Sequence, residues 1–325
     1  MLTTFTCDGT VLQRSSEPSD TALREAVWIE LLNASEDEIR RVDAMTGDHV
    51  PTEADLREIE SSSRLSVANG VLTLSLPLVT RLDGDPQPVP GGFVLSQQRL
   101  ITIRFAASTV FDGFAEREMQ AGTPDRTGAH LFVGLLEAIV DRHADALELI
   151  RDDLDAISHR IFRDAVSIGG SRREDRMLRE TLAAIGRKGD VISFIRDSQV
   201  GAARIVPYVL STAADWLPQD LKPRLDTLRQ DIASLNDFDT HLNDKLQFLL
   251  DATLGFINIA QNNVMKVLTV ASVVGIPPVL IAGIYGMNFK SIPEYDWAWG
   301  YAYGLALIVV SGIVPLAIFR WRNWI

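Results

Sequence analysis

Two long uncharged segments near the C-terminal end constrain the fold more than any other feature of this sequence. Residues 267–285 form a run of 19 without a charged side chain, and residues 297–319 form a run of 23. A helix of about 20 apolar residues can cross the hydrocarbon core of a bilayer, which is roughly 30 Å thick. The 11 residues between the runs, 286–296, are too few for a domain and too polar for lipid. We therefore predict two transmembrane helices joined by a short loop at one membrane face.

The charges that flank the two runs predict their orientation. Lys266 precedes the first run, and Arg320 and Arg322 follow the second, whereas the loop carries one lysine against two acidic residues. Because basic residues favour the cytoplasmic side of a membrane, both ends of the pair are expected there. Residues 1–30 contain charges and no sustained apolar run, so we expect no secretory signal. The expected location is the plasma (inner) membrane, multi-pass, with both termini in the cytoplasm.

The part of the chain before the spans is acidic. The sequence has 43 acidic and 31 basic residues, and removing the two acids and four bases of the span region leaves 41 and 27, a formal charge of −14. Such a domain attracts cations and repels nucleic acid, so nucleic acid is not an expected partner. The alternative is that the acidity only keeps the protein soluble. Cys7 is the single cysteine, which excludes an intrachain disulfide and a cysteine-based metal cluster.

Residues 1–120 have the alternating pattern of an α/β domain. Two hairpins are predicted, one over Leu65–Thr80 with its turn at Asn69-Gly70 and one over Phe93–Phe105. Because hairpins are antiparallel, the sheet is expected to be mixed rather than purely parallel. Helix N-caps are predicted at Ser35 and Thr52.

Residues 121–217 predict a cytoplasmic helical hairpin with a break at Gly169-Gly170-Ser171. Apolar residues recur at helical spacing in both arms. These residues are Leu131, Leu135, Ile139, Ala146, Ile150 and Leu154 in the first arm and Leu178, Leu182, Ile185 and Ile192 in the second.

Residues 218–263 predict a stalk helix that continues into the first span of a membrane domain at 264–325. If this helix runs to Tyr285 it would be roughly 100 Å long at 1.5 Å per residue, which suits a stalk that leads into a membrane. Pro277 and Pro278 are interpreted as a kink, with a gating hinge as the alternative. The whole chain is thus predicted to be an α+β membrane protein.

One face of the predicted long helix carries polar and small side chains, whereas the other faces are mainly apolar. Its members are Asp251, Gly255, Asn258, Asn262, Met265, Thr269, Ser272, Ile276 and Gly283. Exposing such a stripe to lipid would cost free energy, so it must face another helix or water. Since two spans are too few to enclose a hole, the stripe predicts a homo-oligomeric ring. The alternative is simple helix packing in a dimer.

The loop and its surroundings carry a resemblance to a known family. Gly286-Met287-Asn288 closes the first span, Pro293-Glu294 precedes the second, and the sequence ends in a short basic and aromatic tail. With the run at 261–269, these residues resemble the CorA family of divalent-cation transporters. The resemblance implies a pentameric funnel whose first span lines the pore. It also implies pore roles for Asn262, Met265 and Leu268 and an apolar constriction at Ile276.

The resemblance implies that Asn288 forms the selectivity loop with Gly286, Met287 and Glu294. An amide carbonyl is a neutral acceptor, and a ring of such groups could hold hydrated Mg²⁺ through its water shell, which suits an ion that dehydrates reluctantly. Asn288 could also act as a helix C-cap. Glu294 is expected to concentrate cations at the mouth, the alternative being a solvated loop charge.

Acidic residues of the stalk form a second candidate set. In the family, divalent ions bound between cytoplasmic domains hold the channel closed, so the resemblance implies regulatory metal ligands here, of which we select Asp226 and Asp231. The alternative is an ordinary solvated acidic face. His143 lies close in sequence to two acids, but their spacing does not bring them together on a helix. We interpret His143 as a surface histidine.

The leading hypothesis is a channel that imports hydrated Mg²⁺, with Co²⁺ and Ni²⁺ as candidate passengers. The nearest rival is a Zn²⁺ transporter of the same superfamily; Met287 and Glu294 favour magnesium, whereas Lys290 and Val279 depart from the expected pattern. A rival of another class is a membrane-tethered sensor or scaffold. The sequence contains no phosphate-binding glycine loop, nucleophile elbow or zinc-protease pair, so we predict neither an enzyme nor an organic cofactor.

Overall fold

The computed structural model describes residues 1–8, 11–58, 64–80, 86–122, 126–164, 172–288, 293–322 and 324. The chain packs as two compact units. The first consists of Met1–Ala156 and Ala184–Phe248, and the second of Ile157–Ala183 and Leu249–Ile325. The division into four segments at 120, 217 and 263 stays a prediction. The expected break at Gly169-Gly170-Ser171 and the loop residue Lys290 lie outside the described residues.

A mixed sheet lies at the centre of the first unit. Its strands are β1 (Leu2–Asp8), β2 (Val11–Ser15), β3 (Trp28–Leu32), β4 (Leu65–Ala68), β5 (Val71–Thr80), β6 (Gln87–Leu95) and β7 (Leu100–Arg104). They are ordered β2-β1-β3-β7-β6-β5-β4. The β3–β7 pair is parallel and the other pairs are antiparallel. The predicted mixed sheet is thereby confirmed.

Both predicted hairpins are present. Between β4 and β5, Asn69 and Gly70 have φ angles of 52° and 80°, the left-handed pair that a two-residue turn needs to match the twist of its strands. Between β6 and β7, the Ser96 amide donates to the Arg99 carbonyl over 3.0 Å. Strand β6 begins at Gln87, six residues before the predicted start at Phe93.

Helices cover both faces of the sheet. One face packs against α1 (Asp20–Glu25), α2 (Glu36–Thr46) and α3 (Glu53–Leu56), and the other against α4 (Thr109–Ala121), α5 (Gly128–Asp164), α6 (Arg172–Thr212) and the start of α7 (Leu221–Tyr285). Alternate side chains of β3 pack into the two hydrophobic cores on opposite faces of the sheet, because successive side chains of a strand point to opposite faces. Ile29 and Leu31 enter the first core, and Trp28 enters the second.

Local sequence signals explain where the short helices begin. Ser35 and Thr52 each form a capping box, in which the side chain accepts from the third helical amide and an acidic side chain accepts from the cap amide. Both predicted N-caps are therefore confirmed. In α5, the six predicted stripe residues are all buried, so the periodicity identified the face that packs into the core.

The two predicted spans are helices of the second unit. Helix α7 continues without interruption to Tyr285, although Pro277 and Pro278 lie inside it, and helix α8 covers Gly300–Trp321. Among the described residues, these two helices are long and apolar enough to cross a membrane. The stalk helix that continues into the first span is confirmed.

Candidate functional site

The first span ends at the Gly-Met-Asn sequence. The Gly286 amide donates to the Ala282 carbonyl over 3.0 Å, and the Met287 amide donates to the Ile284 carbonyl over 3.2 Å. Helix α7 thus ends with one α-helical i→i−4 hydrogen bond followed by one 3₁₀-type i→i−3 hydrogen bond, a pattern common at helix ends. Asn288 follows with an exposed side chain. The loop role of Asn288 and its role as a helix C-cap both stay predictions.

Glu294 lies in a 3₁₀ turn that packs against the start of α8. The turn covers Pro293–Asp296, and the Trp297 amide donates to the Glu294 carbonyl over 3.3 Å. The Gly300 amide then donates to the Trp297 carbonyl over 3.0 Å. A Cβ atom on Gly300 would lie 2.0 Å from the Glu294 carbonyl oxygen, so only glycine allows this approach. The position of the Glu294 backbone therefore depends on Gly300.

A cavity of about 610 Å³ lies where α7 ends and α8 begins. Its lining includes Ala282 and Gly286 from α7, Glu294 from the turn, and Gly300 and Tyr301 from α8. Gly286 and Glu294, two of the predicted selectivity residues, thereby line one cavity, although the undescribed residues 289–292 lie between them in sequence.

One face of α7 packs against α8. A Cβ atom on Gly312 would lie 3.5 Å from Pro278 Cγ and 3.8 Å from the Val274 carbonyl oxygen. Towards the loop, Ala282 and Tyr285 line the cavity shared with α8. At about 100° per residue, these four α7 residues share one face of the helix.

The predicted polar stripe lies on the other side of α7, about 160° around the helix from the face that packs against α8. Its members Met265 and Ile276 are 59% and 63% exposed, and Leu268, which lies beside the stripe, is 59% exposed. Three further members, Asp251, Asn258 and Asn262, are also exposed, and Ser272 is half-buried. The Thr269 hydroxyl donates to the Met265 carbonyl over 2.8 Å. Its oxygen atom therefore remains available as an acceptor. The second span thus leaves the stripe uncovered.

The stalk acids are not equivalent. Asp226 pairs with Arg229 on its own helix over 3.3 Å, and both side chains are more than half exposed. Asp231 instead lies near Asp141 of α5. The pKa of Asp141 is raised by partial desolvation first and then by the neighbouring carboxylates of Glu137, Asp145 and Asp231, although Arg117 lowers it.

The cross-helix acidic group was missed from the sequence, because its members lie on α5 and α7, 90 positions apart. Glu137 already pairs with Arg224 through two contacts of 2.5 and 3.0 Å. Within the described ranges, no group of three or more His, Cys, Asp or Glu side chains is arranged to hold a metal ion.

The interpretation of His143 as a surface residue is wrong. The side chain is 3% exposed, and burial lowers its pKa to about 4. The signal was present in the sequence, because His143 lies four residues after Ile139 and three before Ala146, on the buried stripe of α5.

Together, the fold and this site define a class of membrane proteins. Its members have two spans, an acidic α/β domain, and a polar face on the first span that the second span of the same chain leaves exposed. The family model for the CorA-like Mg²⁺ transporter protein matches residues 24–321, and the chain belongs to this family. It is 28% identical over the full length of both chains to the magnesium transport proteins CorA of Pectobacterium atrosepticum and Salmonella typhimurium. The fold is similar to the solved complete CorA magnesium transporter of Methanocaldococcus jannaschii, with a TM-score of 0.75, 18% identity, and coverage of 100% of this chain and 99% of that chain.

Proposed function

We propose that this protein is a homopentameric channel that conducts hydrated Mg²⁺ across the inner membrane into the cytoplasm. The observation that carries the proposal is the polar stripe of α7, which lies opposite the α8 contact and leads to Gly286-Met287-Asn288. A ring of chains with α7 inside and α8 outside places every stripe at the axis and every α8 against lipid. The names of the family and of its full-length relatives support magnesium as the ion.

Asn288 would select the ion through its water shell. Mg²⁺ keeps most of its waters, and an amide oxygen accepts hydrogen bonds from those waters without holding the charge too tightly. Each bond contributes about 0.5–1.5 kcal/mol net, so a ring of them gives occupancy that is useful but reversible. Glu294 would raise the local concentration of cations at the mouth.

Beyond the loop, the pore would be lined by the same stripe down to Asp251. Asn258, Asn262 and Thr269 offer neutral oxygen atoms to a hydrated ion, and Met265, Leu268 and Ile276 narrow the path with apolar side chains. Hydrophobic constrictions of this kind gate by excluding water. In this arrangement residues 218–263 form the stalk and residues 264–325 the membrane domain.

Regulation by bound Mg²⁺ would act on the acidic first unit. Asp231 lies near Asp141, whose pKa is raised by partial desolvation first and then by repulsion from the neighbouring carboxylates of Glu137, Asp145 and Asp231. A divalent ion would relieve that repulsion, and its loss would loosen the packing. We assign this role to Asp231 and Asp226, and no organic cofactor takes part.

A competition assay in proteoliposomes tests the proposal. Uptake of Mg²⁺ should be driven by an inside-negative potential, and Co²⁺ and Ni²⁺ should compete with it more effectively than Zn²⁺. Preferential uptake of Zn²⁺ would identify a zinc transporter. The absence of flux of any divalent ion through correctly inserted protein would identify an anchored scaffold.

A further inference from the structure

Asp239 on α7 is a fully buried carboxylate that lacks a hydrogen-bond partner. Its exposure is 0%, and neither Oδ1 nor Oδ2 accepts a hydrogen bond from any described group. The Nε of Arg196 on α6 lies 3.8 Å from Oδ2, which is too far for a hydrogen bond. Because the Arg196 side chain is 53% exposed, water screens much of its charge. A buried carboxylate in this setting is costly when it is ionised.

The surroundings of Asp239 are the interior of the bundle formed by α5, α6 and α7. The pairs Arg224–Glu137 and Lys245–Asp155 place α5 parallel to α7 and bring Ile150 of α5 to the level of Asp239. Both Ile150 and Ile195, the neighbour of Arg196 in sequence, are buried. The environment of the carboxylate is therefore mostly apolar.

The charged groups at this level do not neutralise the carboxylate. On α5, Arg151 and Asp152 bond to each other over 3.0 Å and are largely exposed. On α6, Arg196 is the cation that faces Asp239. On α7 itself, Lys245 is engaged with Asp155 at 2.6 Å.

A second unpartnered polar group lies nearby on α6. Gln199 follows Arg196 by three residues, which places it on the same side of the helix one turn further along. It is 0% exposed, and neither atom of its amide has a hydrogen-bond partner among the described groups. Gln199 is therefore a second buried polar side chain without a partner, one helical turn from the cation nearest to Asp239.

We propose that Asp239 is a proton-binding site that couples the packing of α5, α6 and α7 to the pH of the surrounding solution. The protonated carboxyl group is neutral and fits the closed bundle. The ionised group favours local opening, in which water reaches the carboxylate. The proposal does not depend on the transport function.

The direction of the effect follows from the burial of the group. Burial raises the pKa of Asp239 to about 6 from its ordinary value of 3.8, and the Arg196 charge opposes the rise. The folded bundle therefore holds the proton more tightly than the open one. The bound proton stabilises the closed bundle fully below about pH 4, and this stabilisation is lost as the pH rises through about 6. A difference of two pKa units corresponds to roughly a 100-fold change in the opening equilibrium.

Hydrogen exchange of the full-length protein in detergent tests the proposal. After correction for intrinsic exchange rates, the protection of peptides covering residues 190–203 and 234–246, taken relative to the same peptides of Asp239→Asn, should be about tenfold higher at pH 5 than at pH 8. Asp239→Asn is the reference, because it removes the charge and keeps the shape, so its remaining pH dependence comes from other groups such as His143. The matched control is Asp237→Asn, which changes an exposed acid two residues away and should behave as the wild type.

Two further variants keep the test decisive. Asp239→Leu fills a similar space without polar atoms and should show the same pH dependence as Asp239→Asn. Arg196→Gln removes the opposing charge and should move the midpoint to higher pH. His143, which titrates in the opposite direction, is common to all variants and cancels in the comparison. The proposal is overturned if Asp239→Asn and Asp239→Leu retain the wild-type pH dependence, or if both are less protected than the wild type at pH 8.

Discussion

Replacing Gly300 by alanine should disturb the proposed selectivity loop while leaving both spans intact. The added Cβ would lie 2.0 Å from the Glu294 carbonyl oxygen, whereas ordinary contacts of this kind exceed 3 Å, so the turn must move by about 1 Å. The obstacle is backbone rather than a flexible side chain, so relaxation requires displacing the Pro293–Asp296 turn. Overpacking of this kind costs about 1–3 kcal/mol. The displaced turn carries Glu294, so the expected result is reduced Mg²⁺ uptake with normal assembly.

Gly304→Ala is the matched control, because a Cβ atom on Gly304 meets no described atom within 4 Å. Both variants lie on α8 and add the same methyl group. Thermal unfolding should show a loss for Gly300→Ala and little change for Gly304→Ala, and uptake in proteoliposomes should follow the same order. Equal stability and equal uptake of the two variants would refute the reasoning.

Three other predictions follow from the charges of the chain. His143→Leu should stabilise the protein near pH 5 by about 2 kcal/mol, because the pKa of the buried histidine is about 4 in the folded protein against an ordinary value of 6.5, so the wild type loses stability as the pH falls from 6.5 towards 4. An unchanged acid limb in thermal unfolding would contradict this. A reporter fused after Ile325 should lie in the cytoplasm, and a cysteine introduced by Ser291→Cys should be labelled from outside the cell. Labelling of this cysteine only in opened cells would show that the orientation is the opposite. Mg²⁺ should protect the stalk from protease, and Asp226→Asn combined with Asp231→Asn should weaken that protection; identical digestion with Mg²⁺ and with chelator would remove the regulatory role.

The sequence predicted elements whose causes are local. Asn69-Gly70 determines a hairpin turn through its own backbone preferences, and Ser35 and Thr52 determine helix starts through side chains that reach only three residues away. The spans are equally local, because the absence of charge over 267–285 and 297–319 depends on no distant contact. These features needed no knowledge of the tertiary structure.

The features that could not be predicted depend on distant pairings. The parallel pairing of β3 with β7 brings together residues about 70 positions apart, and no local signal specifies it. The position of Asp231 near Asp141 depends on how α5 lies beside α7. The burial of Asp239 was not predicted, because an acidic residue among other polar residues of a helix gives no sign that its face is covered.

The proposed function depends most directly on a ring of Asn288 amides. The decisive measurement is therefore Mg²⁺ uptake by Asn288→Ala in proteoliposomes, with insertion and oligomer size checked on the same preparation. Each chain would lose hydrogen bonds of about 0.5–1.5 kcal/mol, and the loss is repeated around the axis, so occupancy of the outer site should fall by orders of magnitude. We expect uptake to be abolished while the oligomer stays assembled, because assembly depends on the stalk and the spans. Near-normal Mg²⁺ uptake by correctly inserted Asn288→Ala protein would contradict the selectivity role of the loop.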